Sequence, residues 1–444
     1  MNVAVVRRNL FGYTSGAAAW GQLLRAVLWR NGFEPHPMDQ NVWRLLSVKD
    51  LGKPHPGTPP HFTAVADTHY LTPDFDNETH MHAIQHGCDA LTLTHSDDSR
   101  NAARTEQIMR KVMDVLEHFL TIVNGARLLF NSLGLHFEKR GDGYDLSMMA
   151  KIDELAELVL NGEEFHPVTK PYYGTAELIA TAPDPKGVHA LERRFPFRGA
   201  MGLALWIAIK LRWDILFYII RLSTMQSNPN AECYNQMIHL TKFLHTTRDF
   251  VRRMDPYEPV ENLRSEGHSL QFYADTGNGG CPVSGKTFGC HMGTLHGMVI
   301  YYQVKRLHTV SNVTAELELM EMNKAAKTAI VANRLLLFMD PRELAADKRK
   351  GSGFWNGPVP VHEDNEAAKR NAVPEAPITK KLLHMERRHF QVKQFVAEGK
   401  IKIIKIDGTK NPADIGTKPI LMHGTNYNRL MASRLGIVRT VREE

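Results

Sequence analysis

Cysteine is scarce in this 444-residue chain, which has four: Cys88, Cys233, Cys281 and Cys290. No two form a C-x-x-C pair. That argues against a zinc ribbon or a dithiol redox motif and suits reduced thiols in an intracellular protein, cytoplasmic or nuclear. Acidic residues are missing from the start: Arg7, Arg8, Arg25 and Arg30 all precede the first acid, Glu34. A mitochondrial presequence shows the same bias. No apolar run is long and unbroken. The most apolar, LALWIAIKLRWDILFYII at 203–220, carries Lys210, Arg212 and Asp214 at its middle. It reads as a buried helix, not a membrane span. Internal repeats are absent. The charge excess is small, +6 from 54 basic and 48 acidic side chains, which permits a polyanionic partner without demanding one.

What is present is globular. Hydrophobic residues make up 43% and charged residues 23%, over a length that suits two or three domains. The spacing of Trp20, Leu23, Leu24, Val27 and Leu28 predicts a helix over 17–31, with Gly32 as its C-cap. A loop-like stretch rich in Pro, His and Thr follows, from about 50 to 88. DALTLT then alternates as a half-buried strand and runs into Asp97 and Asp98. EQIMRKVMDVLEHFL puts Ile108, Val112, Val115, Leu116 and Phe119 on one helical face. Residues 133–148 read as a hairpin around Gly141-Asp142-Gly143. Helices dominate to about 253, and DPYEPVENLRSEGHS is the best hinge. Beyond it strands and helices alternate: LQFYAD, a long helix from TAELELMEMNKAAK, GPVPVHED, a helix in KKLLHMERRHFQVKQFVAEG, and KIKIIKI. The fold class is therefore mixed, α/β or α+β.

Four acids of this last region sit at element ends or in a first helical turn. Asp275 ends FYAD, Glu318 is early in the long helix, Asp364 ends VPVHED, and Asp414 opens a terminal helix. Carboxylates that converge from separate elements repel one another unless cations neutralise them. Oxygen-only ligands suit Mg²⁺ (or Mn²⁺), and paired ions stabilise both oxygens of a phosphodiester displacement. The bland reading is an N-cap or a solvated turn.

The segments YADTGNGG, TVSNVTAELELMEMNKAAKTAIVANRLL, VHEDNEAAKRNA and HMERRHFQVKQFVAEGKIKIIKIDGTKNPADIGTKP follow in the order of a known family. They resemble the ribonuclease H domain of copia-type (Ty1/copia) retrotransposon polyproteins, with ADIGTKP the most specific piece. The resemblance implies a ribonuclease H-like fold that cuts the RNA strand of an RNA–DNA hybrid with two magnesium ions, held by Asp275, Glu318, Asp364 and Asp414. Glu316 competes with Glu318; the ungapped match through ELMEMNKAAK favours Glu318. Where the family often has an acid two residues after the first Asp, this chain has Gly277.

The front of the chain is similar to the same family's reverse transcriptase, through NLFGYTSGAAAW, NGFEPHPMDQNVW, LGLHFEKRGDGYDLS and FPFRGAMGLALWIAIKLRWDILFYIIRLSTMQSNP. THSDDSR then falls where the polymerase's Tyr-Val-Asp-Asp turn belongs, which implies that Asp97 and Asp98 descend from a palm metal site. The motif has drifted. Tyr-Val is His95-Ser96, the family's Lys-Gln is Thr14-Ser15, and its Arg is Ala18. The family's third palm aspartate would precede Met1. The expectation is a truncated, inactive palm-like region at 1–200, a helical thumb or connection at 201–265, and a ribonuclease H-like domain at 266–440. The partner implied is a hybrid or other nucleic acid, with no membrane. A non-enzymatic nucleic-acid-binding remnant is the competing reading.

Weaker signals remain. His80, His82, His86 and Cys88 are zinc-type ligands at spacings of no known module. Asp67 also follows a short apolar run. Lys348, Arg349 and Lys350 near Phe354 and Trp355 suit a nucleic-acid contact or a solvated loop.

Overall fold

The computed structural model describes residues 14–36, 39–55, 82–83, 85–95, 98–120, 131–172, 194–255, 270–277, 285–311, 313–340, 358–420, 422 and 424–440. The chain packs as two compact units, 1–129 with 332–352, and 130–331 with 353–444. The boundaries expected near 200 and 265 both fall inside the second unit. Asp67, His80, the hinge residues 256–269 and the basic-aromatic stretch 348–355 lie outside the described residues.

In the first unit, helix α1 (Thr14–Arg30) leads into an antiparallel sheet. Its strands, in sheet order, are β1 (Glu34–His36), β2 (Asp39–Leu45), β3 (Ala90–His95) and β4 (Asp98–Ala103). Gly32 is left-handed, φ +86°, as a C-cap requires, and a Cβ there would meet the Asp50 carbonyl oxygen at 2.3 Å. Helix α2 (Glu106–Phe119) is capped by Thr105, whose hydroxyl accepts from the Ile108 N–H. Its Val112 and Leu116 join Leu28, Phe33, Trp43 and Leu45 in the core. The expected face is shorter than the helix, since Phe119 is 48% exposed. β3 and β4 form a hairpin closed by the His95↔Asp98 pair.

The second unit carries two sheets. One contains β5 (Asn131–Ser132), β6 (Leu135–Arg140), β7 (Gly143–Ser147) and β8 (Phe250–Met254). Arg140 pairs with Gly143 across Gly141-Asp142, so the hairpin sits where the sequence places it. The other holds β9 (Leu270–Thr276), β10 (Phe288–Leu295), β11 (Met298–Arg306), β12 (Val359–Glu363) and β13 (Ile401–Lys405). β14 (Ile437–Arg439) returns to pair with β8 in the first sheet. The β9–β13 sheet has the order β11-β10-β9-β12-β13. Its first three strands are antiparallel neighbours, while β12 runs parallel to both β9 and β13. The fold is mixed α/β, and this sheet is compatible with a ribonuclease H-like domain.

Helices α3 (Met149–Leu160), α4 (Phe197–Lys210), α5 (Leu216–Ser223) and α6 (Ala231–Thr246) pack a large apolar core in this unit. The apolar run 203–220 is not one helix. It breaks at Arg212-Trp213-Asp214, where a 3-10 turn (Trp213–Ile215) separates α4 from α5. The break is held by a fully buried bidentate pair, Arg212 Nε to Asp214 Oδ1 at 3.0 Å and Nη2 to Oδ2 at 2.8 Å. The Tyr427 hydroxyl donates to Asp214, and Arg212 Nη1 donates to the Thr247 carbonyl. Buried charges need such full pairing, and a straight helix cannot supply it. No described helix is long and apolar enough to cross a membrane.

The last region holds α7 (Thr314–Met339), α8 (Glu366–Ala372), α9 (Gln391–Ala397) and α10 (Gly424–Leu435). The helix expected over 380–399 is confined to α9, preceded by two 3-10 turns, Lys380–Leu382 and Arg387–Phe390. Leu382 and Met385 turn into the core there, and the Arg388 carbonyl, which accepts the Gln391 N–H of the second 3-10 turn, also accepts from Asn323 Nδ2.

Candidate metal centre

Alternation along β9 puts Phe272 and Ala274 on one sheet face, and Tyr273 and Asp275 on the other. β12 lies beside it with Val361 opposite Phe272 and His362 opposite Tyr273. The His362 ring stacks on Tyr273, with centroids 4.6 Å apart, and its Nε2 lies 2.9 Å from Gln271 Oε1. This register brings the C-terminal ends of β9 and β12 side by side, so Asp364, one residue past β12, reaches the end of β9 beside Asp275.

Helix α7 delivers the third acid. Its residues advance about 100° each, so Glu316 and Glu318 point roughly 200° apart. Glu316 pairs with the Ser311 hydroxyl and lies 3.2 Å from His384 Nε2, away from the strand ends. Glu318 reaches them. Carboxylate oxygens of Asp275, Glu318 and Asp364 all lie within 4.8 Å of one another. Among the described residues, this is the one group of three or more His, Cys, Asp or Glu side chains that could hold an ion.

Asp414 arrives on a 3-10 turn, Pro412–Gly416, not on the terminal helix the sequence suggested. Asn411 caps that turn through the Ala413 N–H and donates to the Ala274 carbonyl at 2.8 Å, tying the segment to β9. The same segment places Thr417 to donate its hydroxyl to Asp275 Oδ2, and Lys418 Nζ 2.8 Å from Asp414 Oδ1. Gly277 has its reason here: a Cβ would sit 2.5 Å from the Thr417 carbonyl oxygen. Gly277→Ala should therefore cost about 1–3 kcal/mol by displacing that backbone. A denaturant melt unchanged from the parent would contradict the close approach.

The electrostatics are those of crowded, largely buried acids. Burial, then the Asp414 charge, push Asp275 well above the ordinary carboxylate range, against the Thr417 hydrogen bond. Burial, then the Glu363 charge, push Glu318 up in the same way. Asp364 is raised by burial and by Asp414. Lys418 loses to burial but gains more from Asp414, and ends above its usual value. Glu318 Oε2 is buried with no hydrogen-bond partner. An oxygen-only donor set with an orphaned buried carboxylate oxygen fits a hard divalent cation.

A stability consequence follows. Acids raised in the folded state hold protons that the unfolded chain releases, so ion-free stability falls as pH rises above the ordinary carboxylate range. Half-buried His239, His296 and His389, lowered from their usual value, act in the opposite sense, so the acids' share is read by difference: the melting temperature in Mn²⁺ minus that in EDTA should be larger at pH 8 than at pH 5.5. A difference that is constant or falls with pH would contradict this.

The front motif is less completely described. Asp97 lies outside the described residues, and Asp98 is placed as the first residue of β4. The histidine cluster does not assemble a site among its described members. The His82 and His86 rings are 5.0 Å apart, and His82 Nε2 lies 3.4 Å from Asp89. Cys88 points toward the Phe338 carbonyl, and burial pushes its thiol up to about 12, the opposite of a zinc thiolate.

Sequence reasoning did not single out Glu363, which stands outside the trio whose oxygens lie within 4.8 Å of one another. It is fully buried at the end of β12, one residue before Asp364. The signal was the doublet Glu363-Asp364, in which the strand's terminal acid masks its neighbour.

A mixed α/β protein with a carboxylate cluster at the ends of two parallel strands is the class these features define. No family model matches the chain. Over 267 residues, 59% of its length, it is 22% identical to the retrovirus-related Pol polyprotein from transposon TNT 1-94 of Nicotiana tabacum. The chain spans 18% of that polyprotein. The likeness supports an origin in a copia-type retrotransposon Pol polyprotein.

Proposed function

We propose that the region from β9 to Lys418 is a ribonuclease H-type nuclease that hydrolyses the RNA strand of an RNA–DNA hybrid. Asp275, Glu318, Asp364 and Asp414 would hold Mg²⁺ or Mn²⁺. The observation that carries the reading is the meeting of three carboxylates within 4.8 Å, one of them with a buried, unpartnered oxygen. Bound cations would supply charge neutralisation and an activated water for phosphodiester hydrolysis. The chain's own residues do the rest. β9 and β12 hold two ligands on a rigid register, α7 presents a third, and Thr417 fixes the Asp275 carboxylate through its hydroxyl. Exposed Lys380, Lys381, Arg387 and Arg388 offer phosphate contacts whose strength falls with salt.

The test is one end-labelled hybrid. Cleavage of its RNA in Mg²⁺ or Mn²⁺, none in EDTA, and an intact DNA strand are expected, because the 2′-hydroxyls mark the RNA strand. Binding without cleavage would leave the non-enzymatic reading; neither would leave ancestry alone.

For the front unit, the proposal is a palm-derived sheet that no longer polymerises. Thr14, Ser15 and Ala18 replace the polar and basic residues of the nucleotide pocket, and His95-Ser96 replace Tyr-Val. No template-dependent primer extension is expected. Incorporation that Asp97→Asn abolishes would overturn this.

A further inference from the structure

We propose that Glu363 joins the trio of Asp275, Glu318 and Asp364 and gives an oxygen to a cation bound beside Glu318. This rests on the reading of the cluster as a cation site. The position of Glu363 follows from the strand. Val359, Val361 and Glu363 share one face of β12, opposite to His362. His362 faces the Tyr273 and Asp275 side of the sheet. Glu363 is therefore on the Phe272 and Ala274 side. Helix α7 covers that side, with Glu321 Oε1 2.6 Å from His291 Nδ1 on β10, in register with Ala274.

Glu318, carried on α7, and Glu363 thus share the helix-covered face, while Asp275 lies on the other. The cluster straddles the end of the sheet. Glu363 is 0% exposed. Its Oε1 accepts from the Asn365 N–H at 2.9 Å, which holds the carboxylate in place. Its Oε2 is buried with no hydrogen-bond partner, as is Glu318 Oε2. Two buried carboxylates on one face of the sheet, each with an orphaned oxygen, are costly unless something positive lies beside them.

The chemistry of the ligand follows. Mg²⁺ keeps several waters and takes one or two carboxylates, whereas larger ions accept more carboxylate oxygens and bind tighter as ligand charge increases. An added glutamate therefore favours Ca²⁺ occupancy over Mg²⁺, and Mn²⁺, which takes the same oxygen ligands, serves as the observable probe.

The experiment is Mn²⁺ binding to the full chain, followed by titration calorimetry and by the paramagnetic resonance signal of free Mn²⁺. Glu363→Gln keeps the acceptor for Asn365 and removes one charge. It should weaken Mn²⁺ binding at least tenfold and should melt at or above the parent in EDTA. Glu363→Ala, as a second variant, should weaken binding as much. Glu316→Gln, on the same helix but outside the cluster, should bind as the parent does. Loss of binding in Asp275→Asn with less than a threefold change in both Glu363 variants overturns the role of Glu363 alone. No Mn²⁺ binding by the parent, or binding untouched by Asp275→Asn, overturns the cation site itself and this inference with it.

Discussion

Asp364→Asn should reduce cleavage of the RNA–DNA hybrid by roughly a thousandfold or more while leaving hybrid affinity within about threefold. The substitution keeps the side-chain volume and removes one ligand charge. Asp364 is the half-buried member of the trio, one residue past β12, so its loss disturbs ion placement with little effect on the sheet beneath. Hybrid binding relies on phosphate contacts elsewhere and should persist. Asp275→Asn should remove cleavage equally but behave differently in a melt. Asp275 is buried and faces the Asp414 charge, so neutralising it should raise the ion-free melting temperature. The measurements are single-turnover cleavage, hybrid binding in Ca²⁺, and thermal denaturation in EDTA. Parental cleavage in Asp364→Asn would sink the nuclease proposal.

The second large effect is on stability. Asp214→Ala should destabilise the second unit by about 3–5 kcal/mol, a fall on the order of 10 °C in its melting temperature. Arg212 and Asp214 are both fully buried, and Asp214 supplies both oxygens that face the guanidinium. Removing it leaves the charge with the Thr247 carbonyl and the faces of Phe243 and Phe250. It also strips the Tyr427 hydroxyl of its acceptor. Replacing both partners, in Arg212→Met with Asp214→Leu, should recover much of the loss, because no unpaired charge remains. Equal melting of the single and double variants would show that shape, not the ion pair, holds this corner.

Elements whose cause is local were legible in the sequence. The Gly32 cap, the Gly141-Asp142 hairpin and strands β9, β12 and β13 each rest on a few neighbouring residues. Their turn chemistry or alternation has one solution. Strand ends and the family resemblance together named Asp275, Glu318 and Asp364, whose oxygens come within 4.8 Å of one another, and also Asp414, which arrives on a 3-10 turn and not on the expected helix. Elsewhere a periodic pattern overstated regularity. The run 203–220 and the segment 380–399 both have helical composition, yet the first breaks at the buried Arg212–Asp214 pair, whose remaining bonds go to Tyr427 and Thr247, and the second opens with 3-10 turns that bury Leu382 and Met385.

Tertiary packing decided which acid of each doublet faces which side. Glu316 and Glu318 have the same chemistry, and only the seating of α7 on the sheet turns Glu318 toward the strand ends and Glu316 toward His384. Glu363 ends β12 on the face of Val361, whereas Asp364, one residue past the strand, lies with Asp275 and Glu318. Gly277 is explained by the carbonyl of Thr417, far along the chain, which no local pattern encodes. Sequence alone determined the types and order of the groups; the three-dimensional fold determined their directions, because direction depends on register between strands and on the rotation of a helix about its axis.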